Sequence, residues 1–306
     1  MEGAGLRSHS LNALGYQPIR LKKAKGDARY SGTFRVNGKP VDLLIDSGAN
    51  STDLNANLAS RLGIQTHDGI QVVSRGALGR PVESQIGLGT LTAGPISASP
   101  FPFMISPVPT QTTATSRYDG QLGLDALSGL GALVDLSQGS MWVPGPRSLD
   151  SRGEALRPLG RQPNLAFDAL QLRRTGRLPH LNVRSRWQNK TLTWIVDTGA
   201  EVTVLAEETA RRLGIAVQDS RSRIIDASGD QVMARVAILN EVVFNRLVVT
   251  EFQVAVIPLA KVRESFRDSN GRPIDGIIGM DFLEKSGALL DSSSKLLYVG
   301  SPAPVD

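Results

Sequence analysis

The apolar and polar positions of this chain fall mostly into short alternating stretches, which are typical of β-strands. Residues 33–36 and 41–45 form two such stretches, and the Asn-Gly pair at 37–38 between them is a strong signal for a tight hairpin turn. Residues 84–107 and 234–258 alternate in the same way and predict further sheet. The pattern therefore favours a protein built mainly from antiparallel hairpins.

A helical pattern interrupts the strands once in each half of the chain. Leu54, Leu58 and Leu62 recur every fourth residue, which predicts a short helix that stops at Gly63. The second half carries an equivalent pattern with a thinner apolar stripe, and this pattern stops at Gly214. Both predicted helices are short.

Twice in the chain, a strand-forming run is followed by an aspartate and a tight turn that contains glycine. Asp-Ser-Gly at 46–48 follows one run, and Asp-Thr-Gly at 197–199 follows another, 151 residues later and without a gap in the alignment. One such aspartate would be read as a turn residue, because aspartate is a poor strand residue that turns accept readily. Its repetition at the end of two equivalent runs indicates a shared function instead.

The repeat extends beyond these two motifs. Residues 61–64 align with 212–215 at the same separation, and a later motif, Gln-Leu-Gly at 121–123, aligns with Ile-Ile-Gly at 277–279. The separation has by then grown to 156 residues. The chain therefore contains two copies of one domain. A repeat of this kind has to be recognised before any other reasoning about the fold.

Both halves resemble the retropepsin-like aspartic proteases, whose signature is Asp-Thr/Ser-Gly followed later by two apolar residues and a glycine. The polar Gln121 is a slight departure from that signature. The resemblance implies a mainly β fold of two tandem retropepsin-like acid-protease β-barrel lobes with short helices, bilobed around a central cleft. It also implies an aspartic endopeptidase that acts on a peptide or protein substrate.

The resemblance assigns a role to each motif. Asp46 and Asp197 become the catalytic pair, which activates a water molecule. The other residues that it implies are the supporting loop residues Ser47, Gly48, Ala49, Thr198, Gly199 and Ala200, the loop-backing residues Leu122, Gly123, Ile278 and Gly279, and the substrate-binding flap residues Gly76, Ala77, Leu78, Gly79, Ala227, Ser228 and Gly229. Ser47 and Thr198 would cross-link the two loops through their hydroxyl groups.

The chemistry explains why two copies are needed. Two carboxyl groups held in contact cannot both ionise, so they share one proton, and the pair can both accept and donate a proton. Each lobe supplies one aspartate, so both lobes of one chain suffice and we expect a monomer with an intramolecular pseudo-twofold axis. Two other functions stay open, namely a catalytically silent peptide-binding or scaffold module, and a glycosidase, whose carboxyl groups would lie about 5–9.5 Å apart.

Four further aspartates could be considered as candidate catalytic residues. Asp119 and Asp275 precede glycines and are interpreted as turn or structural residues. Asp125 and Asp281 are interpreted as caps of the short helices that follow them.

The composition argues against several other classes of function. The formal charge of +5 comes from scattered basic residues without interleaved aromatic residues, so no nucleic-acid partner is expected. The chain has no cysteine, which excludes thiolate catalysis and disulfides, and His9, His67 and His180 fit no metal-ligand spacing. No cofactor, metal or membrane span is expected.

The expected organisation has four parts. They are a flexible N-terminal lead-in over 1–27, a first lobe over 28–144, an interlobe linker with a possible strand over 145–175, and a second lobe over 176–306. The cellular location is left open, with a preference for a periplasmic or secreted protein that rests on bacterial relatives of the family.

Overall fold

The computed structural model describes residues 2–75, 81–107, 118–145, 167–175, 178–226, 229–268 and 270–300. The elements of the first half are α1 (Glu2–Ala13), β1 (Tyr16–Arg20), β2 (Ser31–Val36), β3 (Lys39–Ile45), β4 (Asp53–Asn55), α2 (Ala56–Arg61), β5 (Gln65–Arg75), β6 (Pro81–Ala93), β7 (Ile96–Ser106), β8 (Gly120–Leu122), α3 (Leu124–Gly129), β9 (Leu133–Asp135) and β10 (Ser140–Pro144).

The elements of the second half follow nearly the same order. They are β11 (Phe167–Gln171), β12 (Arg173–Thr175), β13 (Leu178–Trp187), β14 (Lys190–Val196), β15 (Val204–Ala206), α4 (Glu207–Leu213), β16 (Gln218–Ile225), β17 (Gln231–Phe244), β18 (Leu247–Ile257), α5 (Ala260–Ser265), β19 (Gly276–Ile278), α6 (Met280–Lys285), β20 (Leu289–Asp291) and β21 (Leu296–Gly300).

Each half forms one lobe around its own sheet, and the two sheets have equivalent strand orders. The first-lobe sheet runs β2-β3-β8-β4-β7-β6-β5, and the second-lobe sheet runs β12-β13-β14-β19-β15-β18-β17-β16. The additional pairings β2–β6 and β13–β17 close each sheet toward a barrel. The predicted fold class, with two tandem β lobes and short helices, is confirmed.

The hairpin predicted at 37–38 is confirmed by the backbone. Val36 pairs with Lys39, and Asn37 and Gly38 both have positive φ angles, 48° and 79°. These two left-handed residues match the right-handed twist of the flanking strands, which is why Asn-Gly is preferred at this turn.

The predicted helix begins later than its apolar spacing indicated. Leu54 lies in β4, which pairs parallel with β7 and antiparallel with β8, and α2 starts only at Ala56. The apolar character of Leu54 reflects burial inside the sheet. Pairing with strands far along the chain therefore overrides the local helical pattern here.

A third sheet, the interlobe sheet, joins the lobes. Its order is β1-β10-β9-β20-β21-β11, and β9 of the first half pairs antiparallel with β20 of the second, with Val134 opposite Leu290. The expected linker strand is present as β11, which pairs with the C-terminal strand β21. Backbone hydrogen bonds thus tie the two lobes together away from the cleft loops.

Residues 1–27 differ from the flexible lead-in that the sequence predicted. They contain α1 and β1, and β1 pairs along its whole length with β10, from Tyr16 opposite Pro144 to Arg20 opposite Ser140. The local sequence could not show this strand, because its partner lies more than a hundred residues away.

Aromatic side chains form a cluster beside the strand that precedes Asp197. Trp194, on β14, is fully buried, donates from its indole N–H to Ser185 Oγ over 2.8 Å and meets Phe252 edge to face at 5.7 Å. Phe244 packs on Phe252 at 5.7 Å and on Phe282 at 4.9 Å. Aromatic pairs of this kind stabilise a core beyond their buried area.

The aromatic core gives a test of what stabilises the second lobe. Phe244→Ala should lower the free energy of unfolding by about 3–5 kcal/mol, because it opens a cavity among well-packed rings. Ile238→Ala on the same strand is the matched control, since Ile238 is 57% exposed, and it should change that free energy by less than about 0.5 kcal/mol. Urea unfolding of both variants measures the difference, and equal effects would contradict the packing argument.

Candidate active site

The two predicted catalytic aspartates each stand immediately after an inner strand of their lobe. Asp46 follows β3, and its N–H donates to the carbonyl oxygen of Leu122 over 3.1 Å; Asp197 follows β14, and its N–H donates to Ile278 over 3.0 Å. Parallel pairing of β3 with β8 and of β14 with β19 creates these two contacts. The aspartates therefore start from rigid strands and not from loose loops.

Each loop holds its own carboxylate with backbone donors. Asp46 Oδ1 accepts from the N–H groups of Gly48 and Ala49 over 2.9 and 3.0 Å, and Asp197 Oδ1 accepts from Gly199 over 2.8 Å. These bonds aim both carboxyl groups toward the boundary between the lobes.

The two carboxyl groups meet there. The carboxyl groups of Asp46 and Asp197 lie close enough for each to affect the pKa of the other. Each carboxyl also lies directly over the glycine of the opposite loop, since a Cβ on Gly48 would overlap the Asp197 carboxyl and a Cβ on Gly199 would overlap that of Asp46. Glycine is required at both positions because any side chain would push the pair apart.

Two hydroxyl groups cross-link the loops, as the resemblance implied. Thr198 Oγ1 accepts from the N–H of Ser47 over 2.9 Å and donates to the carbonyl oxygen of Ile45 over 2.8 Å. Ser47 Oγ accepts in turn from the N–H of Thr198 over 3.0 Å and donates to Val196 over 2.9 Å. Each hydroxyl uses both its donor and its acceptor capacity across the lobe boundary.

The loop-backing residues lie where the motif placed them. Gly123 and Gly279 sit against the backbone of Ser51 and Val202, where a Cβ would come within 2.5 Å of a carbonyl. The residue after each glycine then donates back to the catalytic loop; the N–H of Leu124 reaches the carbonyl oxygen of Ala49 over 2.9 Å. Close backbone approach explains the glycine in this motif.

Burial and mutual repulsion govern the charge of the pair. Burial raises the pKa of Asp46, although hydrogen bonds and the nearby Arg29 guanidinium oppose this effect. Burial and the negative charge of Asp46 together raise the pKa of Asp197 well above its usual range. The two groups titrate as one unit, in which a single proton is retained over a wide pH range.

The interpretation of Asp125 and Asp281 as helix caps needs correction. Gly123 and Gly279 occupy the N-cap positions of α3 and α6, without a side-chain bond. Asp125 instead accepts from the hydroxyl and the N–H of Thr52, over 2.7 and 3.0 Å, and Asp281 bonds Thr203 in the equivalent way. Thr52 and Thr203 follow the two Asp-containing turns, so these carboxylates tie the turns to the helices. Each carboxylate also accepts from the next N–H of its own helix, that of Ala126 over 2.7 Å and that of Phe282 over 2.8 Å.

Asp119 and Asp275 are structural, in line with their interpretation from sequence. Asp119 Oδ2 accepts from the N–H of Asp42 over 2.9 Å. Asp275 accepts from the N–H of Thr193, from the hydroxyl of Thr209 and from Arg212, over 2.9, 2.9 and 2.7 Å.

Two residues that contact the predicted catalytic loops were missed by sequence reasoning. His180 is buried, and its Nε2 lies 2.7 Å from the carbonyl oxygen of Gly48 in the opposite lobe. Arg29 is buried as well, and its guanidinium lies 3.6 Å from the Glu201 carboxylate, again across the boundary. Their shared separation of 151 residues, the same as that of the two aspartates, was the signal that could have found them.

The predicted flap residues are mostly outside the described part of the chain. Gly76, Ala77, Leu78, Gly79, Ala227 and Ser228 are not described, and their assignment stays a prediction. Gly229 is described, has a φ of 83° and donates its N–H to the Asp226 carbonyl over 2.9 Å. The arms of both hairpins, β5–β6 and β16–β17, are paired strands.

Two searches within the described residues found nothing. No group of three or more His, Asp or Glu side chains there is arranged to hold a metal ion. No helix in the same part of the chain is both long and apolar enough to cross a membrane.

Comparisons with known proteins agree with this architecture. The family model described as "Aspartyl protease" matches residues 32–126 and 183–282, which together make up more than half of the chain. The aspartic proteinase from Irpex lacteus is similar in fold, with a TM-score of 0.53, 14% identity, and coverage of 94% of this chain and 98% of that one. The basic 7S globulin from soybean has a TM-score of 0.49, 11% identity, and coverage of 94% and 95%. A search of curated protein sequences found no significant match.

The hydroxyl cross-link gives a prediction about stability. Thr198→Val removes the hydroxyl with little change of shape and leaves the buried Ser47 N–H without its acceptor, so the free energy of unfolding should fall by about 1–3 kcal/mol. Thr198→Ser keeps the hydroxyl and should lose much less. In a double-mutant cycle with Ser47→Ala, measured by urea unfolding, the two losses should be non-additive. Additive losses would show that the two hydroxyls act independently.

The raised pKa of the pair gives a prediction about pH. At pH values between the carboxyl pKa of the unfolded chain and that of the folded protein, the folded protein keeps a proton that the unfolded chain has released. These carboxyls therefore destabilise the fold progressively as the pH rises above about 4. Asp197→Asn removes this effect, and its stability relative to the parent should increase from about pH 4 to neutral pH. Asp219→Asn on the exposed strand β16 is the control, with a small and constant difference. Thermal unfolding of the variants and the parent at several pH values measures these differences in stability. A difference for Asp197→Asn that does not change with pH would contradict the raised pKa.

Proposed function

This chain belongs to the aspartyl protease family, and we propose that it is an active endopeptidase. It hydrolyses peptide bonds in a peptide or protein substrate that lies extended between the lobes. Asp46 and Asp197 activate a water molecule together, one from each lobe. No cofactor is invoked.

The observation that carries the proposal is the close approach of the two carboxyl groups, each of which lies over the glycine of the opposite loop. A carboxylate and a carboxylic acid in contact can perform opposite proton transfers in the same step. The ionised member removes a proton from water while the protonated member donates one to the carbonyl oxygen of the scissile bond. The tetrahedral intermediate then collapses as a proton reaches the leaving amine.

Contact between the carboxyls also argues against glycoside hydrolysis. Retaining and inverting glycosidases keep their two carboxyl groups about 5–9.5 Å apart, to leave room for the sugar or for a water molecule. The effects of Asp46 and Asp197 on each other's pKa indicate that they lie closer than that. Glycosidase chemistry is therefore not proposed for this pair.

The intact motifs argue against a silent binding module. A module without turnover would not need both aspartates. Both aspartates are present, together with Gly48 and Gly199, whose lack of a side chain lets the carboxyls approach each other. Because each lobe of the same chain supplies one aspartate, we propose that the monomer is the active form.

The dyad is tested by single substitutions. Asp46→Asn and Asp197→Asn should each lower kcat/KM for peptide cleavage by about 10²–10⁴-fold or more, because an amide cannot replace either proton-transfer group. The parent should show a bell-shaped pH dependence and should be inhibited by a statine-type transition-state mimic.

Asp119→Asn is the matched control, since Asp119 precedes a glycine as well but its carboxylate accepts from the N–H of Asp42 on the strand beside it. It should retain most of the activity, measured with a peptide library across pH. Undiminished cleavage by either dyad variant would overturn the mechanism. A parent that binds peptides and cleaves none at any pH would instead be a binding module.

A further inference from the structure

The second lobe has a separate apolar cluster on the face of its sheet that points away from the main core. Val204 and Ile277 belong to this cluster, whereas their chain neighbours Leu205 and Ile278 lie in the main core. Side chains alternate between the two faces of a strand, so the cluster forms a layer of its own. Its members on the strands, which we call the second-lobe wall, are Ile277, Val204, Ala206, Ile257 and Ala234.

The second-lobe wall extends from the catalytic loop to the neighbouring hairpin. Ala200, directly after the Asp-Thr-Gly turn, packs against the cluster. Ile224 and Val232, on the two arms of the β16–β17 hairpin, pack against it as well. All three side chains are only partly buried. A peptide bound over Asp197 on the side of this hairpin therefore meets an apolar surface.

The equivalent wall of the first lobe is polar. Asp53 stands opposite Gln121 in the first-lobe sheet, as Val204 stands opposite Ile277 in the second. The same registers, followed through the neighbouring strands, give the five equivalent positions. These residues, the first-lobe wall, are Gln121, Asp53, Asn55, Ser106 and Ser84. Each of the five apolar residues of the second lobe thus has a polar counterpart.

The polar side chains of the first-lobe wall lie on the face that adjoins the catalytic loop. Leu54 and Leu122, next to Asp53 and Gln121 in the chain, are buried in the main core, so the polar neighbours point the other way. Gln121 and Asp53 are partly exposed, whereas their counterparts in the second lobe are buried. Ser84 is 2% exposed, and its hydroxyl has no hydrogen-bond partner among the described residues.

We propose that the two walls select opposite polarities in the substrate side chains on either side of the scissile bond. A side chain with a hydrogen-bond donor lies against Gln121, and an aliphatic side chain lies against the second-lobe wall. The inference rests on the proposed function and deepens it, since it names the class of peptide that is cleaved. Gln121 acts here as a specificity-determining residue and takes no part in proton transfer.

The preference follows from what each wall offers. The Gln121 amide oxygen and the Asp53 carboxylate accept hydrogen bonds, so an aliphatic side chain that displaced their water would leave them unpaired. An acidic side chain would be repelled by Asp53. The second-lobe wall offers no side-chain partner, so a polar side chain buried there would lose its own hydrogen bonds. Sites built to hydrogen-bond a substrate discriminate strongly against analogues that cannot do so.

The proposal is tested with peptides that vary the two residues flanking the scissile bond. The parent should prefer glutamine, serine or lysine over leucine at one of the two positions, and leucine over glutamine at the other. Gln121→Met keeps the length of the side chain and removes its amide. It should lower the polar-to-aliphatic ratio of kcat/KM at the first position by about 10-fold, and change the ratio at the second by less than about twofold.

Ile277→Met is the matched control, because it makes the same residue at the equivalent position and keeps that wall apolar. It should leave both ratios within about twofold of the parent. Asp53→Asn is a second probe at a partly exposed position, and it keeps the test decisive if Gln121→Met does not fold. It should raise kcat/KM for peptides with glutamate at the first position by about 10-fold, because the like charge is removed.

Peptides with a reduced, uncleavable scissile bond separate the two possible failures. Their dissociation constants, measured by calorimetry, report the same preferences without turnover. A parent that binds them with opposite polarity at the two positions but cleaves nothing contradicts the proposed function alone. An active parent with the same preference at both positions would overturn the inference. So would unchanged ratios in folded Gln121→Met and no gain with glutamate in Asp53→Asn.

Discussion

The close approach of two buried carboxyl groups, which cannot both be ionised, is the constraint on which the rest of this structure depends. Two such groups repel each other and lose hydration when buried, so the fold has to hold them together against both costs. Glycines at 48 and 199 remove the side chains that would separate them, and the hydroxyls of Ser47 and Thr198 bind each loop to the other. The interlobe sheet, with β9 paired to β20, keeps the lobes in register behind the loops.

Duplication of the domain brings the two aspartates together, but it also tends to give them the same surroundings. Two equivalent halves naturally place equivalent residues about a pseudo-twofold axis, and the backbone contacts around the aspartates are nearly the same in both lobes. Water activation, however, requires two carboxyls in different protonation states. Departures from symmetry near the dyad include Arg29 against His180 and Glu201 against Asn50. A single chain can keep such differences because each half evolves separately, whereas identical subunits cannot.

Much of the fold and of the candidate site could be predicted because the same patterns occur twice. The Asp-Ser-Gly and Asp-Thr-Gly turns, the later glycine motifs and the hairpin at 37–38 are local features whose residue types have few other uses. Strand β1 and the start of α2 could not be predicted, since β1 depends on pairing with β10 and Leu54 on pairing with β7 and β8. Asp125 was misread for the same reason, because its partner Thr52 lies far away in sequence.

The sequence by itself determined that this protein is a duplicated β domain with one special aspartate in each half, because repetition and turn chemistry are properties of the chain. Tertiary structure alone decided that the two carboxyls touch, that each covers the glycine of the opposite loop, and that Arg29 and His180 reach across the boundary. Distances and burial between residues 151 positions apart arise only when the lobes pack. The charge of each carboxyl follows from that packing, since a pKa depends on the solvent and the charges that the folded chain places around it.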